Sequence, residues 1–472
     1  MRRAPLCLSL LAALVATLVL PSAASARSTQ STLFEAPREL LSDDAALRAS
    51  TAQEVKGLGA DWVRIILYWK DAAPDPGGAS VPAFDERNPA GYPGLARYDA
   101  AIAAARDAGL RVLVTVTGPV PRWATASKRD QRTRPSATRF GRFTEMLARH
   151  YGTQVSAWSV WNEPNHPQFL LPQFTKKGKS REYTAAKLYR QLFQQGEAGL
   201  AKGGSRAPVL FGETAPRGTS TAVAPLAFMR TALCLNSKYK KRSGCGRLKA
   251  DGFAHHAYTT RGGPFFTPPA KDDVTIGVLS RLNSAIAKAE KAKALPRGTD
   301  IWLTEFGIQS WPDKRLGVSP QQQAEYRSIS EQIAYRNSRV RMFSQYLMRD
   351  DDPRPGSTTQ RYSGFESGLR GHAGELKPSY EGFRLPLVAT RGSRSTTLWG
   401  IVRPTSRGTT VTIDYRSGSS SSWRRLKTDR TSTRGVWSTS TSANAKRQYR
   451  VRWTDADGTT FTGPPTRSYR AP

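Results

Sequence analysis

Short, mostly apolar runs alternate with amphipathic stretches from Gln30 to Tyr346, and no other feature restricts the fold as strongly. The runs are Gln30–Ala36, Ala60–Trp69, Leu110–Thr117, Val155–Val160, Pro208–Glu213, Gly252–Tyr258, Ile301–Glu305 and Val340–Tyr346. A strand covered on both faces reads as a continuous apolar run, because neither face meets water. The stretches between them have helical spacing. From Tyr92 to Gly109, for example, Leu95, Tyr98, Ile102 and Ala105 recur on one face and Gly109 ends the element. Strand and helix in alternation predict a parallel sheet, and about eight such units predict its closure into a barrel. An open doubly wound sheet carries a glycine-rich phosphate loop after its first strand, and none follows Gln30–Ala36. The expected class is therefore α/β, a (β/α)8 barrel over residues 27–388.

The texture changes at Ala389. Helical spacing disappears, and Ser, Thr, Arg and Gly dominate. Val411, Ile413 and Tyr415 alternate with polar residues, as do Tyr449, Val451 and Trp453, and Ser417-Gly418 and Asp457-Gly458 supply turns. Residues 389–472 are expected to form a small all-β sandwich, an accessory domain. With sixteen Lys or Arg against four Asp, and with Trp399, Trp423, Trp437 and Trp453, this segment suits either a glycan-binding module or a passive domain packed on the barrel.

Residues 1–26 read as a signal peptide: Arg2 and Arg3, an apolar Leu6–Leu20, and Ala24-Ser25-Ala26 as the cleavage site. The apolar part is short for a membrane span, so the mature chain is expected to be secreted, soluble and without a spanning segment. Cys7 leaves with the signal. Cys234 and Cys245 remain, an even pair in an exported chain, and are expected to form a disulfide around the basic loop Lys238–Arg242. The formal charge is +34. The cations are scattered and accompany no nucleic-acid-binding motif, so nucleic acid is an unlikely partner and an anionic cell-envelope surface or acidic polysaccharide a better one.

Active sites of such barrels lie at the carboxyl ends of the strands. The polar residues there are Arg64, Asn162, Glu163, His256, Tyr258, Glu305 and Gln345. Glu163 and Glu305 sit on strands three apart, facing each other across the mouth. Two carboxyls so placed suit cleavage of a glycosidic bond, one protonating the leaving oxygen and the other attacking the anomeric carbon. Arg64 and the Tyr258 hydroxyl beside Glu305 would keep it ionised. Glu163, with fewer cationic neighbours, would keep its proton. Trp123 and Trp311 are candidate sugar platforms. His255 is expected to pack inward or cap, and Glu213 to be structural. No metal or organic cofactor is required.

Trp161-Asn162-Glu163-Pro164 resembles the acid/base motif of the clan A glycoside hydrolases, retaining (β/α)8-barrel enzymes, with particular likeness to families 5 and 39. The layout from about residue 30 to 385 is similar throughout. The resemblance implies Glu163 as acid/base, Glu305 of Thr304-Glu305-Phe306-Gly307 as nucleophile, and Asn162 as partner of the sugar 2-hydroxyl. Arg64 matches the strand-two arginine, His256-Ala257-Tyr258 the strand-six motif, and Pro121-Arg122-Trp123-Ala124 a strand-three loop. Gly368 to Arg384 resembles the segment that closes the barrel. One departure stands out. Many members end strand eight in a tryptophan that floors the central sugar subsite, whereas this chain has Phe343-Ser344-Gln345-Tyr346-Leu347. Gln345, Tyr346 or Trp311 then has to serve, and the sugar stays open. The expected activity is hydrolysis of a β-linked glycan by double displacement. The alternatives are a transglycosylase on the same residues and a non-catalytic glycan- or wall-binding protein.

Overall fold

The computed structural model describes residues 29–470 except 179 and 420, so the signal segment lies outside the described residues. Eight parallel strands close a barrel. They are β1 (Ser31–Glu35), β2 (Trp62–Tyr68), β3 (Arg111–Thr117), β4 (Ala157–Val160), β5 (Val209–Thr214), β6 (Gly252–His256), β7 (Asp300–Glu305) and β8 (Val340–Tyr346). Each pairs with its neighbours in sequence, and β8 pairs with β1 from Ser31 opposite Met342 to Glu35 opposite Tyr346. The outer layer holds α1 (Ala45–Gly57), α2 (Ala96–Asp107), α3 (Ala137–Tyr151), α4 (Thr184–Lys202), α5 (Pro225–Ala232), α6 (Ser280–Lys291), α7 (Pro320–Tyr335) and α8 (Pro378–Arg384). Side-chain caps mark several starts, such as Asp44 accepting from the amides of Ala46 and Leu47 ahead of α1. No helix among the described residues is long and apolar enough to cross a membrane.

The interior of the barrel follows the two-residue period of its strands. Leu33, Trp62, Leu113, Ala157, Leu210, Ala254, Trp302 and Met342, one from each strand, fill its amino-terminal half as an apolar layer. Two residues further along, the same faces carry Glu35, Arg64, Thr115, Ser159, Gly212, His256, Thr304 and Ser344. The floor of the carboxyl-terminal mouth is therefore polar and charged, while the opposite strand faces pack under the helices around Phe34, Val114, Trp158, Phe211 and Phe343.

The carboxyl-terminal segment is all-β, with β9 (Leu387–Arg391), β10 (Ser395–Ile401), β11 (Thr410–Ser417), β12 (Arg424–Arg430), β13 (Val436–Ser442), β14 (Arg447–Thr454), β15 (Thr460–Thr462) and β16 (Thr466–Arg470). The order is β12-β11-β14-β16-β9-β10-β13, with β15 beside β14, and the sheet curls until β12 and β13 approach each other. Only the β9–β16 pairing is parallel. The alternation seen in sequence fills its inside with Val411, Ile413, Tyr449, Val451 and Trp453, joined by Leu398 and Trp437. Val388, Trp399 and Ile401 point the other way and pack with Ile329 of α7, which attaches the sheet to the barrel. Cys234 and Cys245 are joined as a disulfide.

Candidate active site

Arg64 occupies the centre of the polar floor, with 1 % of its surface exposed. Its Nε donates to Thr115 Oγ1 at 2.9 Å. Nη1 donates to both oxygens of Glu35, at 3.3 and 3.2 Å, and to Glu305 Oε2 at 2.8 Å. Nη2 donates to Asn162 Oδ1 at 2.6 Å and to Glu213 Oε2 at 3.0 Å. Burial alone would discharge the group, but Glu213, Glu35 and Glu305 outweigh it and raise its pKa.

Glu305 receives a second bond from Tyr258, whose hydroxyl donates to Oε1 at 2.9 Å. A cation and a phenol thus hold the carboxylate from two sides. Glu163 lies across the mouth with its side chain 17 % exposed, and its Oε1 is 2.9 Å from His256 Nδ1. The other ring nitrogen, Nε2, is 2.6 Å from Glu213 Oε2. Burial pushes the imidazolium down, yet Glu305, Glu163 and Glu213 together carry the His256 pKa up to about 10. Burial likewise works against the Glu213 carboxylate, but Arg64 and His256 hold it down at about 2. Both nitrogens of His256 therefore carry protons at neutral pH. Glu163, expected to keep its proton because it has fewer cationic neighbours, has His256 in direct contact.

One oxygen of Glu163, one of Glu305 and a ring nitrogen of His256 lie within 4.8 Å of one another. Two carboxylates and a histidine that close resemble a metal-ligand set, but a ligating imidazole must give up its proton, and here Glu213 and Glu163 hold that proton in place. The arrangement fits acid–base chemistry better than metal binding.

Asn162, anchored by its amide to Thr117 Oγ1 at 2.9 Å, lies between Arg64 and Glu163. Tyr346, at the end of β8, stands against Phe365 at 4.9 Å and Tyr258 at 6.4 Å between ring centres. Burial and then the nearby Glu305 carboxylate raise its pKa. Trp311 is 56 % exposed, on the loop after β7.

Two candidates fall outside the site. Gln345 faces the helices: it accepts from Arg327 Nε at 2.8 Å and donates to the carbonyls of Leu347 and Ser367. Strand parity is the reason, because Glu35 and Tyr346 share the inward register and Phe34 and Gln345 the outward one. Trp123 is 3 % exposed. Its Nε1 donates to Pro74 O at 3.2 Å and its ring packs edge-on to Trp69 and Phe84, so the loop covers the face a sugar would need. His255 also faces outward, to Thr214 and Val274 O.

Two residues beyond the expected site set face the same cluster, Glu35, which the sequence offers only as a strand residue, and Glu213, expected to be structural. Glu35 carries a carboxyl buried at a strand end, the same signal that exposed Glu305. Glu213 sits where the two-residue period points outward. The pairing of β5 with β6 shifts between Phe211 and Thr214, and Gly212 and Glu213 adopt φ of 121° and 46°. This bulge turns Glu213 into the barrel. A glycine inside a strand was the available sign.

A sequence model of the family described as Cellulase (glycosyl hydrolase family 5) matches residues 26–178. That segment spans the first four strands, with Arg64, Asn162 and Glu163. No curated protein matches the chain. Among solved structures, a family 39 glycoside hydrolase from Bacteroides cellulosilyticus WH2 is similar at 14 % identity, over 88 % of this chain and 81 % of that one, with a TM-score of 0.49. An endo-β-1,4-mannanase from Thermotoga petrophila is similar at 10 % identity, over 94 % and 98 %, with a TM-score of 0.45. The virulence factor SghA from Agrobacterium tumefaciens is similar at 16 % identity, over 72 % and 85 %, with a TM-score of 0.46. The closed barrel is of the (β/α)8 type, and its first four strands are similar to the family 5 model. A buried cluster of acids and histidine lies at its mouth.

Proposed function

We propose that the chain is a secreted retaining glycoside hydrolase that cleaves β-linked glycans by double displacement. The supporting observation is the approach of Glu163 and Glu305, whose nearest oxygens lie within 4.8 Å. Carboxyls roughly 5–5.5 Å apart leave no room for a water between nucleophile and sugar, so one of them attacks directly. Glu305, held by Arg64 and Tyr258, attacks the anomeric carbon. Glu163 gives a proton to the departing oxygen as that bond breaks, and His256 at its side hydrogen-bonds the carboxylate so formed. Water then loses a proton to Glu163 and displaces Glu305 from the glycosyl ester, restoring both groups. Asn162 is placed for the 2-hydroxyl of the sugar in the central subsite.

The test is labelling of the full chain with 2,4-dinitrophenyl 2-deoxy-2-fluoro-β-glycosides of glucose, xylose, mannose and galactose. At least one should attach to Glu305, found by peptide mass analysis. Glu163→Ala should still be labelled, because dinitrophenolate leaves without a proton. Products from natural glycans should retain the anomeric configuration by NMR. Absence of labelling across the panel would favour a glycan-binding protein, and inversion would contradict the nucleophile.

A further inference from the structure

Glu35 has no part in the double displacement, yet it is fully buried at the end of β1 and shares one nitrogen with the proposed nucleophile. Arg64 Nη1 meets Glu305 Oε2 at 2.8 Å and the two oxygens of Glu35 at 3.2 and 3.3 Å. Among the described residues the Glu35 carboxyl has no hydrogen bond from any other side chain. Glu305 holds the shorter share of Nη1 and has the Tyr258 hydroxyl besides.

The groups that act on Glu35 come from most of the barrel. Arg64 lies on β2, Glu213 on β5, His256 on β6 and Glu305 on β7. Tyr68 at the end of β2, Tyr258 just after β6 and Tyr346 at the end of β8 also feel its charge. Burial raises the Glu35 pKa first, Arg64 opposes, and the Glu305 carboxylate raises it again, to about 8. At neutral pH Glu35 therefore keeps its proton while Glu305 is ionised.

A sugar on Glu305 reverses this balance. The ester is neutral, so Arg64 Nη1 loses its nearest anion and Glu35 loses the charge that held its proton. Glu213 cannot make up the difference, because its Oε2 already serves both Arg64 Nη2 at 3.0 Å and His256 Nε2 at 2.6 Å. A buried cation without an opposing charge is costly, and Glu35 is the acid already in contact with that nitrogen.

We propose that Glu35 is a positioning residue that exchanges charge with Glu305: neutral while Glu305 is a carboxylate, it becomes the carboxylate that holds Arg64 while Glu305 carries the sugar. The inference rests on Glu305 acting as the nucleophile. Attack forms the bond from a Glu305 oxygen to the anomeric carbon, and the leaving oxygen departs with the electron pair of its own bond. Glu35 then releases its proton to solvent. When water displaces the ester, the Glu305 carboxylate returns and Glu35 takes a proton back, so the exchange sums to zero over a turnover. Arg64 stays in place through both steps, and with it Asn162, which Nη2 holds at 2.6 Å.

The experiment counts protons in the full chain carrying Glu163→Gln, which removes the proton of the acid from the count and keeps an acceptor beside His256. The 2,4-dinitrophenyl 2-fluoroglycoside that labels Glu305 releases dinitrophenolate, which leaves without a proton and is read by its colour. A pH indicator in weak buffer reads the protons. At pH 7 labelling should release about half a proton or more per dinitrophenolate beyond what the same chain with Glu35→Gln releases. Release common to both belongs to His256, which also faces Glu305. Carbon NMR of protein labelled at the glutamate carboxyls gives a second reading with Glu35 in place: a carboxyl protonated at pH 7 should become ionised when Glu305 is labelled. Equal proton release with and without Glu35, or no glutamate carboxyl ionising, would overturn the proposal and leave the nucleophile standing. Absence of labelling at Glu305 would overturn it together with the hydrolase reading.

Discussion

A single guanidinium organises the floor of the mouth. Arg64 holds Glu305 by Nη1 and Asn162 by Nη2, and balances Glu35 and Glu213 with the same two nitrogens. Four acceptors in fixed directions need a planar fork, which a lysine cannot supply. The least favourable member of the group is Glu35. Burial raises its pKa, Arg64 lowers it, and the neighbouring carboxylate Glu305 raises it again, to about 8 from an ordinary 4.5. His256 and Glu213 also face it, with opposite effects. The unfolded chain gives up this proton near pH 4.5 and the folded chain only near pH 8, so the folded state binds the extra proton and stability falls as pH rises between them. Glu35→Gln should therefore flatten the decline of the thermal midpoint between pH 4.5 and 6.5. A residual slope should remain from Glu366, also raised to about 8 by burial and Asp350. The difference between the two proteins should persist to about pH 8, and above that both should lose stability alike, because His256, raised to about 10, contributes fully below 6.5 and ceases to contribute as it loses its proton. Scanning calorimetry across pH 4–10 measures both limbs, and identical slopes below pH 6.5 would refute the role given to Glu35.

At the scale of the strands, one bulge decides what the barrel contains. Gly212 holds φ at 121°, and a Cβ there would stand 2.5 Å from Ala254 O. Gly212→Ala should cost about 1–3 kcal/mol, the usual range for a forced backbone conformation. It should also displace Glu213 and so lower the pKa of His256. Urea denaturation and NMR titration of the imidazole read these two effects, and a His256 titration unchanged from the native protein beside a large stability loss would detach Glu213 from the site. The same bulge marks the limit of what the sequence discloses. Eight apolar runs, their order and the strand-end polar residues were all legible, because burial on both faces and the two-residue period leave local marks. Arg64, Asn162, Glu163, His256, Tyr258 and Glu305 come together for that reason. Gln345 went astray because a strand-end position does not reveal parity until the register with β1 is known. Trp123 went astray because its cover, Trp69 and Phe84, comes from another loop. Glu213 was hidden by a one-residue irregularity.

The whole molecule is joined by a second buried network, outside the barrel wall. Arg403, just beyond β10, sends two bonds of 2.6 and 2.9 Å to Glu331 of α7, one of 3.1 Å to Thr32 of β1, and one of 3.0 Å to the carbonyl of Phe383 in α8. Arg327 adds a bond of 2.7 Å to Glu331 and another to Gln345 of β8. One carboxylate thus bonds to two buried cations and links the β sheet to the first and last strands of the barrel. Desolvation works against its charge, but Arg403 and Arg327 hold the Glu331 pKa at about 2. Its contribution is therefore complete above pH 4.5, its ordinary value, and is lost as pH falls toward 2. Removing the carboxylate leaves Arg327 and Arg403 buried without a counter-ion, a change that costs about 3–5 kcal/mol in comparable pairs. Glu331→Ala should lose stability of that order in urea at pH 7. It should also convert a single calorimetric transition into two, as the sheet held by Val388, Trp399 and Ile401 melts apart from the barrel. Labelling of Glu305 should persist at temperatures where the barrel is folded, since the network lies on the outer side of the strands. A variant that still melts in one step at the native temperature would show that the apolar contact alone unites the two parts.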